Sequence, residues 1–207
     1  HGSRLLLRRS DDALSGLRQL VEQSGAGAVY WNRLYEPAAI ERDTRIKQAL
    51  RAAGIEVHSH NASLMFEPWQ VANKQGRPFR VFTPFWKSLL ERGLPDRPVA
   101  QSDLHGRLIG ARRLAELDGV ALDDLGLLPD IPWDQEIAAT WRPSRAAASA
   151  RLDEFLASEV DHYREGRDLP ARDYVSRLSP YLHFGQLGPR EIVAACRGEE
   201  ADTGHFL

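Results

Sequence analysis

Residues 28–60, AVYWNRLYEPAAIERDTRIKQALRAAGIEVHSH, decide the fold class. Ala28-Val29-Tyr30-Trp31-Asn32 is a short β-branched and aromatic run that reads as a strand, and it runs into a polar loop, Arg33 to Glu36. Pro37 starts a helix at the position where a missing N–H costs least. Ile46, Ala49, Leu50 and Ala53 continue its apolar face, and Gly54 closes it. Ile55 to His60 then alternates and reads as another strand. Upstream, Leu5-Leu6-Leu7 reads as a buried strand. Ser10 is the expected cap of a helix with Asp11 and Asp12 in its first turn, Leu14, Leu17, Leu20 and Val21 as its stripe, and Gly25 or Gly27 at its end. Strand, helix, strand, helix, strand is the signature of a parallel sheet covered by helices.

Further along, the pattern changes. Thr83 and Pro84 are the expected cap and first residue of a short helix through Leu89 and Leu90, stopped by Gly93. Residues 94–132 are rich in Pro, Gly and Asp and read as a connector. Trp133 to Trp141 holds a helical turn. Ser144 caps a longer helix with Leu152, Phe155, Leu156, Val160 and Tyr163 on one side. No strand signal appears after about residue 85. The expected organisation is an α/β part over 1–93, a connector over 94–132 and an all-α part over 133–207.

Composition bounds the function. A hydrophobic content of 43%, a charged content of 27% and a formal charge of -2 are ordinary for a globular chain and exclude a uniformly basic nucleic-acid surface. They leave a local basic patch open, because affinity for DNA follows local phosphate contacts. The single cysteine, Cys196, cannot form an internal disulfide, so a reducing cytoplasm is the expected compartment, with Cys196 a small buried helix residue. No apolar run approaches the roughly 20 residues that span a bilayer. His1-Gly2-Ser3-Arg4 has neither an initiator methionine nor signal-peptide form, so the natural chain is expected to begin earlier.

The most informative stretch for chemistry is residues 163–189, YREGRDLPARDYVSRLSPYLHFGQLGP. Ser176-Arg177-Leu178-Ser179 puts hydroxyls and an arginine at a turn before a helix, a composition that suits phosphate. Its bland reading is a helix end at Gly166, a loop with surface Arg–Asp pairs, and a new helix after Pro189. His58 and His60 share one side of their strand, but no third ligand is spaced to complete a metal site, and none is expected. Glu36, Glu41 and Asp43 read as favourable charges near a helix N-terminus. There is no Gly-x-Gly-x-x-Gly run, Walker loop or Gly-x-Ser-x-Gly elbow, which removes support for hydrolase and nucleotidase readings.

Three stretches together resemble the DNA photolyase/cryptochrome family, in its bacterial class I type. They are Val29 to Pro37, the run Lys74-Gln75-Gly76-Arg77-Pro78-Phe79-Arg80-Val81-Phe82-Thr83-Pro84-Phe85, and residues 163–189. The resemblance implies a partial Rossmann-like parallel sheet, the antenna domain, followed by the start of an all-α FAD-binding domain. It reads the chain as an internal fragment; taken by itself, the turn-rich aromatic 66–86 segment reads as an interdomain packing surface. The implied activity is light-driven splitting of cyclobutane pyrimidine dimers by electron transfer from reduced FAD, with damaged DNA as partner and a monomeric parent. A cryptochrome-like blue-light photoreceptor and a structural fragment without cofactor are the alternatives.

By the same resemblance Tyr163 lies against the flavin, while Ser176, Arg177, Leu178 and Ser179 line its phosphates. Val175 stands where threonine is usual, and Arg167 matches an arginine that touches DNA phosphate. No catalytic residue is assigned within the chain. Gly188 stands where serine is common, which weakens a helix cap. Ala38 and Ala39 replace the Asn-Glu pair that holds a folate antenna. They cannot make its hydrogen bonds, so a deazaflavin, another flavin or no antenna stays open.

Overall fold

The computed structural model describes residues 5–93, 95, 116–117, 119–198 and 206. The chain separates into two compact units, His1–His60 with Ala100–Gln135, and Asn61–Val99 with Glu136–Leu207.

The first unit is α/β. Helix α1 (Ala13–Ser24) is capped by Asp12, not Ser10: the carboxylate of Asp12 accepts the N–H groups of Leu14 and Ser15. Asp12 is the residue in extended backbone immediately before the first turn, so its oxygen reaches those N–H groups while Ser10 lies too far upstream. The Asp12 carboxyl is held below its ordinary value, first by the hydrogen bond that the Ser15 hydroxyl donates to it and then by that from the Ser15 N–H. Gly25, at φ 68°, ends the helix in the left-handed conformation that glycine adopts without strain.

Strand β1 (Ala28–Asn32), helix α2 (Pro37–Ala52) and strand β2 (Glu56–His60) follow as expected, and the strands pair in parallel with Tyr30 opposite His58. Ile46, Leu50 and Val57 form the core, with Leu14, Leu17, Val29 and Trp31 packed against them, so α1 and α2 cover one sheet face. Asp43 is no helix-dipole charge. It is buried, accepts the Trp31 indole N–H at 3.0 Å and is paired with Arg42.

Leu5-Leu6-Leu7 does not form the expected strand. Among the described residues its backbone has one partner, the Val120 N–H on the Leu7 carbonyl at 2.9 Å, and Leu5 is 80% exposed. No described strand lies beside this three-residue apolar run, so it has no ladder to join among the described residues.

The second unit is helical: α3 (Phe82–Arg92), α4 (Gln135–Thr140), α5 (Arg145–Ser158), α6 (Tyr163–Gly166), α7 (Ser179–His183) and α8 (Pro189–Cys196). Helix α3 starts at Phe82 with Val81 as its cap, so Thr83 and Pro84 lie inside its first turn, where a proline forfeits no intrahelical hydrogen bond. Ser144 caps α5 through the Ala147 N–H at 3.1 Å. Leu152, Phe155, Leu156 and Val160 form the core with Leu178, Tyr181 and Ile192, and Cys196 is buried among them. Most of the expected connector falls on residues outside those described. No described helix is long and apolar enough to cross a membrane.

The two edges of the sheet differ. The Glu56 N–H donates to Gly27 and the Arg33 N–H to His60, so Glu56, His58 and His60 turn their backbone groups toward β1, while Val57 and Ser59 turn theirs outward. Both outward carbonyls are taken by guanidinium groups, Arg51 on Val57 at 3.1 Å and Arg33 on Ser59 at 2.8 Å. On β1, Ala28, Tyr30 and Asn32 turn away from β2, and their backbone groups bond no other described residue. An edge of that kind pairs with other chains. Tyr30→Lys should therefore raise the monomer fraction of the purified chain in light scattering; unchanged association would place the sticky surface elsewhere.

Candidate functional site

Four of the residues singled out from the sequence, Tyr163, Ser176, Leu178 and Ser179, line one cavity of about 390 Å³ within the helical unit. Val175 and Arg177 do not. The guanidinium of Arg177 is paired with Asp173 at 2.8 Å, and the Val175 carbonyl is held by Arg151 at 3.0 Å.

Each lining residue is placed by local structure. Val160 and Phe155 are buried, and the edge of the Tyr163 ring meets Phe155 at 5.9 Å, which sets Tyr163 at the start of α6. The helix stops at Gly166, which is buried against the Tyr174 ring. Arg167 follows, half exposed, its guanidinium over the Tyr163 ring at 5.9 Å and its Nε 3.7 Å from Asp168. Arg177 has φ 53°, the one positive value among described non-glycine residues, in a backbone region that costs about 1–3 kcal/mol. Such a conformation persists only where neighbours impose it. Here they are the buried Leu178 on one side and the bonded carbonyls of Val175 and Ser176 on the other. The Ser179 hydroxyl makes no hydrogen bond to a described residue, and the Ser176 hydroxyl makes one long contact, from the Leu178 N–H at 3.5 Å. Both are available to a ligand.

After α7, Gly185 at φ 68° lets the chain reverse, and the N–H groups of Gln186 and Leu187 return to the Tyr181 carbonyl. Gly188 does leave α8 without a capping side chain, but Glu191 offsets this by accepting the Gly188 N–H at 2.8 Å. The same carboxylate takes Arg145 in two-point contact at 2.7 and 2.5 Å. That bonding, outweighing desolvation, raises the proton affinity of the Arg145 guanidinium.

The apolar walls were not legible as site residues. Met65, Trp86 and Leu89 close one side, Ile192 and Val193 another, and Phe206 packs on Tyr163 at 5.4 Å. Arg190 fixes the Met65 segment by donating to its carbonyl at 3.1 and 3.3 Å. Phe66, Phe79, Phe82 and Phe85, with Trp86, surround a second, aromatic cavity of about 480 Å³ in the same unit. Aliphatic and aromatic walls with two hydroxyls at one side suit a ligand that joins a planar ring to an anionic chain. In the other unit, His58 and His60 do share a face. Their rings lie nearly parallel to Tyr30, at 4.7 and 6.2 Å, and His58 contacts Glu56 at 3.3 Å. Among the described residues no group of three His, Cys, Asp or Glu could hold a metal.

The DNA photolyase family model matches residues 1–102. The chain is 36% identical to the deoxyribodipyrimidine photo-lyase of Agrobacterium fabrum over 198 residues, 95% of the chain and 40% of that protein. It is 29% identical to cryptochrome-2 of Arabidopsis thaliana, over 95% of the chain and 32% of that protein. The crystal structure of a bacterial class III photolyase from Agrobacterium tumefaciens superimposes with a TM-score of 0.81 at 36% identity, covering 95% of this chain and 40% of that one. The sequence similarity runs through both the parallel-sheet unit and the helical one. The chain belongs to the photolyase/cryptochrome family. It spans about 40% of the length of the photo-lyase it matches. The solved relative is named a class III enzyme, so a class I assignment rests on the sequence resemblance alone.

Gly166 is packed closely against Tyr174. A Cβ there would meet the Tyr174 ring, lying 2.6 Å from its Cβ and in still closer contact with Cδ2. Gly166→Ala should destabilise the helical unit by about 1–3 kcal/mol, read as a lower thermal midpoint by circular dichroism. A midpoint equal to the wild type would show that Tyr174 moves aside freely.

Proposed function

We propose that this chain forms part of the flavin-binding wall of a light-driven DNA-repair enzyme, a deoxyribodipyrimidine photo-lyase acting on cyclobutane pyrimidine dimers. The observation that carries the reading is the convergence of Tyr163, Ser176, Leu178 and Ser179 on one cavity, in a chain of this family. FAD fits the donor set there in kind, with hydroxyls for its diphosphate and apolar rings for its planar parts. Reduced FAD, when bound, supplies the electron that splits the dimer.

The chain's own share is to bind and to exclude water. The Ser176 and Ser179 hydroxyls donate to diphosphate oxygens, and Tyr163 offers a ring beside them. Leu178, Ile192 and Met65 keep that side dry. A cavity of about 390 Å³ lies near the low end of the roughly 300–1,000 Å³ usual for small-molecule sites, so these residues enclose part of a dinucleotide. Arg167, half exposed and braced on Tyr163, is the candidate contact to a DNA phosphate. Its neighbour Asp168 lowers the local positive charge.

A blue-light photoreceptor is the second reading, favoured by the 29% identity to cryptochrome-2. Both readings use the same cavity and part on DNA repair. No folate antenna is proposed: Ala38 and Ala39, at the start of α2, have no side-chain donor or acceptor.

Two measurements test the proposal. Titration of the chain with FAD, followed by tryptophan fluorescence, should saturate only at millimolar flavin. Replacing Ser176 and Ser179 together by alanine should weaken binding by roughly tenfold per lost charge-assisted hydrogen bond. Equal affinity in the double variant, or no binding at all, removes the cavity as the flavin site; stoichiometric flavin after purification would show instead that the chain encloses it whole. For the nucleic-acid partner, Arg167→Ala should weaken binding to dimer-containing DNA about equally across sequences and reduce the salt slope by about one unit. An unchanged slope means that Arg167 touches no phosphate.

A further inference from the structure

Arg151 lies on α5, 24 and 25 residues before the segment it touches, and it is not among the residues lining the cavity. Its side chain is 15% exposed, and all five of its N–H donors are engaged. Nε donates to the Ser176 carbonyl at 3.0 Å, and one terminal nitrogen donates to the Val175 carbonyl at 3.0 Å and to Glu159. The other terminal nitrogen donates to Glu159 at 3.0 Å and to Glu154 at 2.9 Å. Burial opposes the charge on Arg151, but Glu159 and Glu154 more than offset it, and its proton affinity is raised.

This arrangement carries two consequences. A guanidinium with no donor left cannot also bind an anionic ligand. The carbonyls of Val175 and Ser176 are pinned to a planar fork immediately before Arg177, the residue at φ 53°, and before Leu178 and Ser179, which line the cavity. The backbone conformation that brings Ser176 and Ser179 to one cavity is therefore imposed from outside it.

We propose that Arg151 is the positioning residue of this cavity. It sets the backbone of residues 175–179 so that the Ser176 and Ser179 hydroxyls present a preformed polar wall to the diphosphate of a dinucleotide, and it does not itself touch the ligand. The proposal rests on the reading of the cavity as a flavin site, and the experiment separates the two.

The chain, Arg151→Lys and Arg151→Ala are compared at low temperature by limited trypsin digestion and by FAD titration. Cleavage after Arg177 reports local opening of the segment, and cleavage after Arg190 in α8 serves as the internal reference. A lysine keeps the charge opposite Glu159 but cannot bridge two carbonyls and a carboxylate, so the conservative variant separates a charge role from a fork role. The expected result is cleavage after Arg177 faster by about tenfold or more in Arg151→Lys, with cleavage after Arg190 unchanged, and FAD affinity lower by at least about tenfold. Arg151→Lys with wild-type cleavage after Arg177 overturns the positioning role, even if Arg151→Ala fails to fold. Faster cleavage with unchanged FAD affinity overturns the link from Arg151 to the ligand and leaves a clamp of purely structural effect. Absence of FAD binding in the unaltered chain overturns the flavin reading and with it the proposal, while the digestion still shows whether Arg151 holds the segment.

Discussion

Phe155, fully buried on α5, is the contact on which the helical unit depends. The Tyr163 ring meets it edge-on at 5.9 Å, and Phe206 packs on it at 4.7 Å, so two walls of the cavity rest on one side chain. One turn earlier on the same helix, Arg151 holds the carbonyls of the third wall. A single helix thus sets both the apolar and the polar side of the site, through close packing in one case and a saturated guanidinium in the other. On the side of the buried Phe155 the packing is close, so displacement of that ring would shift both Tyr163 and Phe206.

The α/β unit shows the complementary problem. Two strands carry one covered face and one face on which Tyr30, His58 and His60 stand in near-parallel array. Its edges are chemically unlike. Arginines satisfy the outward carbonyls of β2, while the outward groups of β1 bond no other described residue. In a parallel sheet this asymmetry tells which edge is finished and which accepts a further strand.

Much of this was legible in the sequence because local physics wrote it there. The Pro37 start of α2, the Gly25 stop of α1, the Ser144 cap and the stripe from Leu152 to Val160 were all readable from spacing and capping chemistry. Tyr163, Ser176, Leu178 and Ser179 were legible through resemblance to a family motif. Where local reading failed, the cause was also local. Leu5 to Leu7 has the composition of a strand but no partner strand among the described residues, and Ser10 resembles a cap but lies two residues before the one that caps.

By itself, the sequence determined the family, the parallel strand-helix-strand unit, the helical second half and four residues that come to line one cavity. Each of these follows from neighbours in the chain or from a contiguous motif. Only the tertiary structure decided that Arg177 turns away to Asp173, that Trp86 and Met65 wall the cavity, and that Arg151 holds the 175–176 backbone. These depend on contacts between residues tens of positions apart, and no periodicity or spacing encodes which buried donor meets which distant carbonyl.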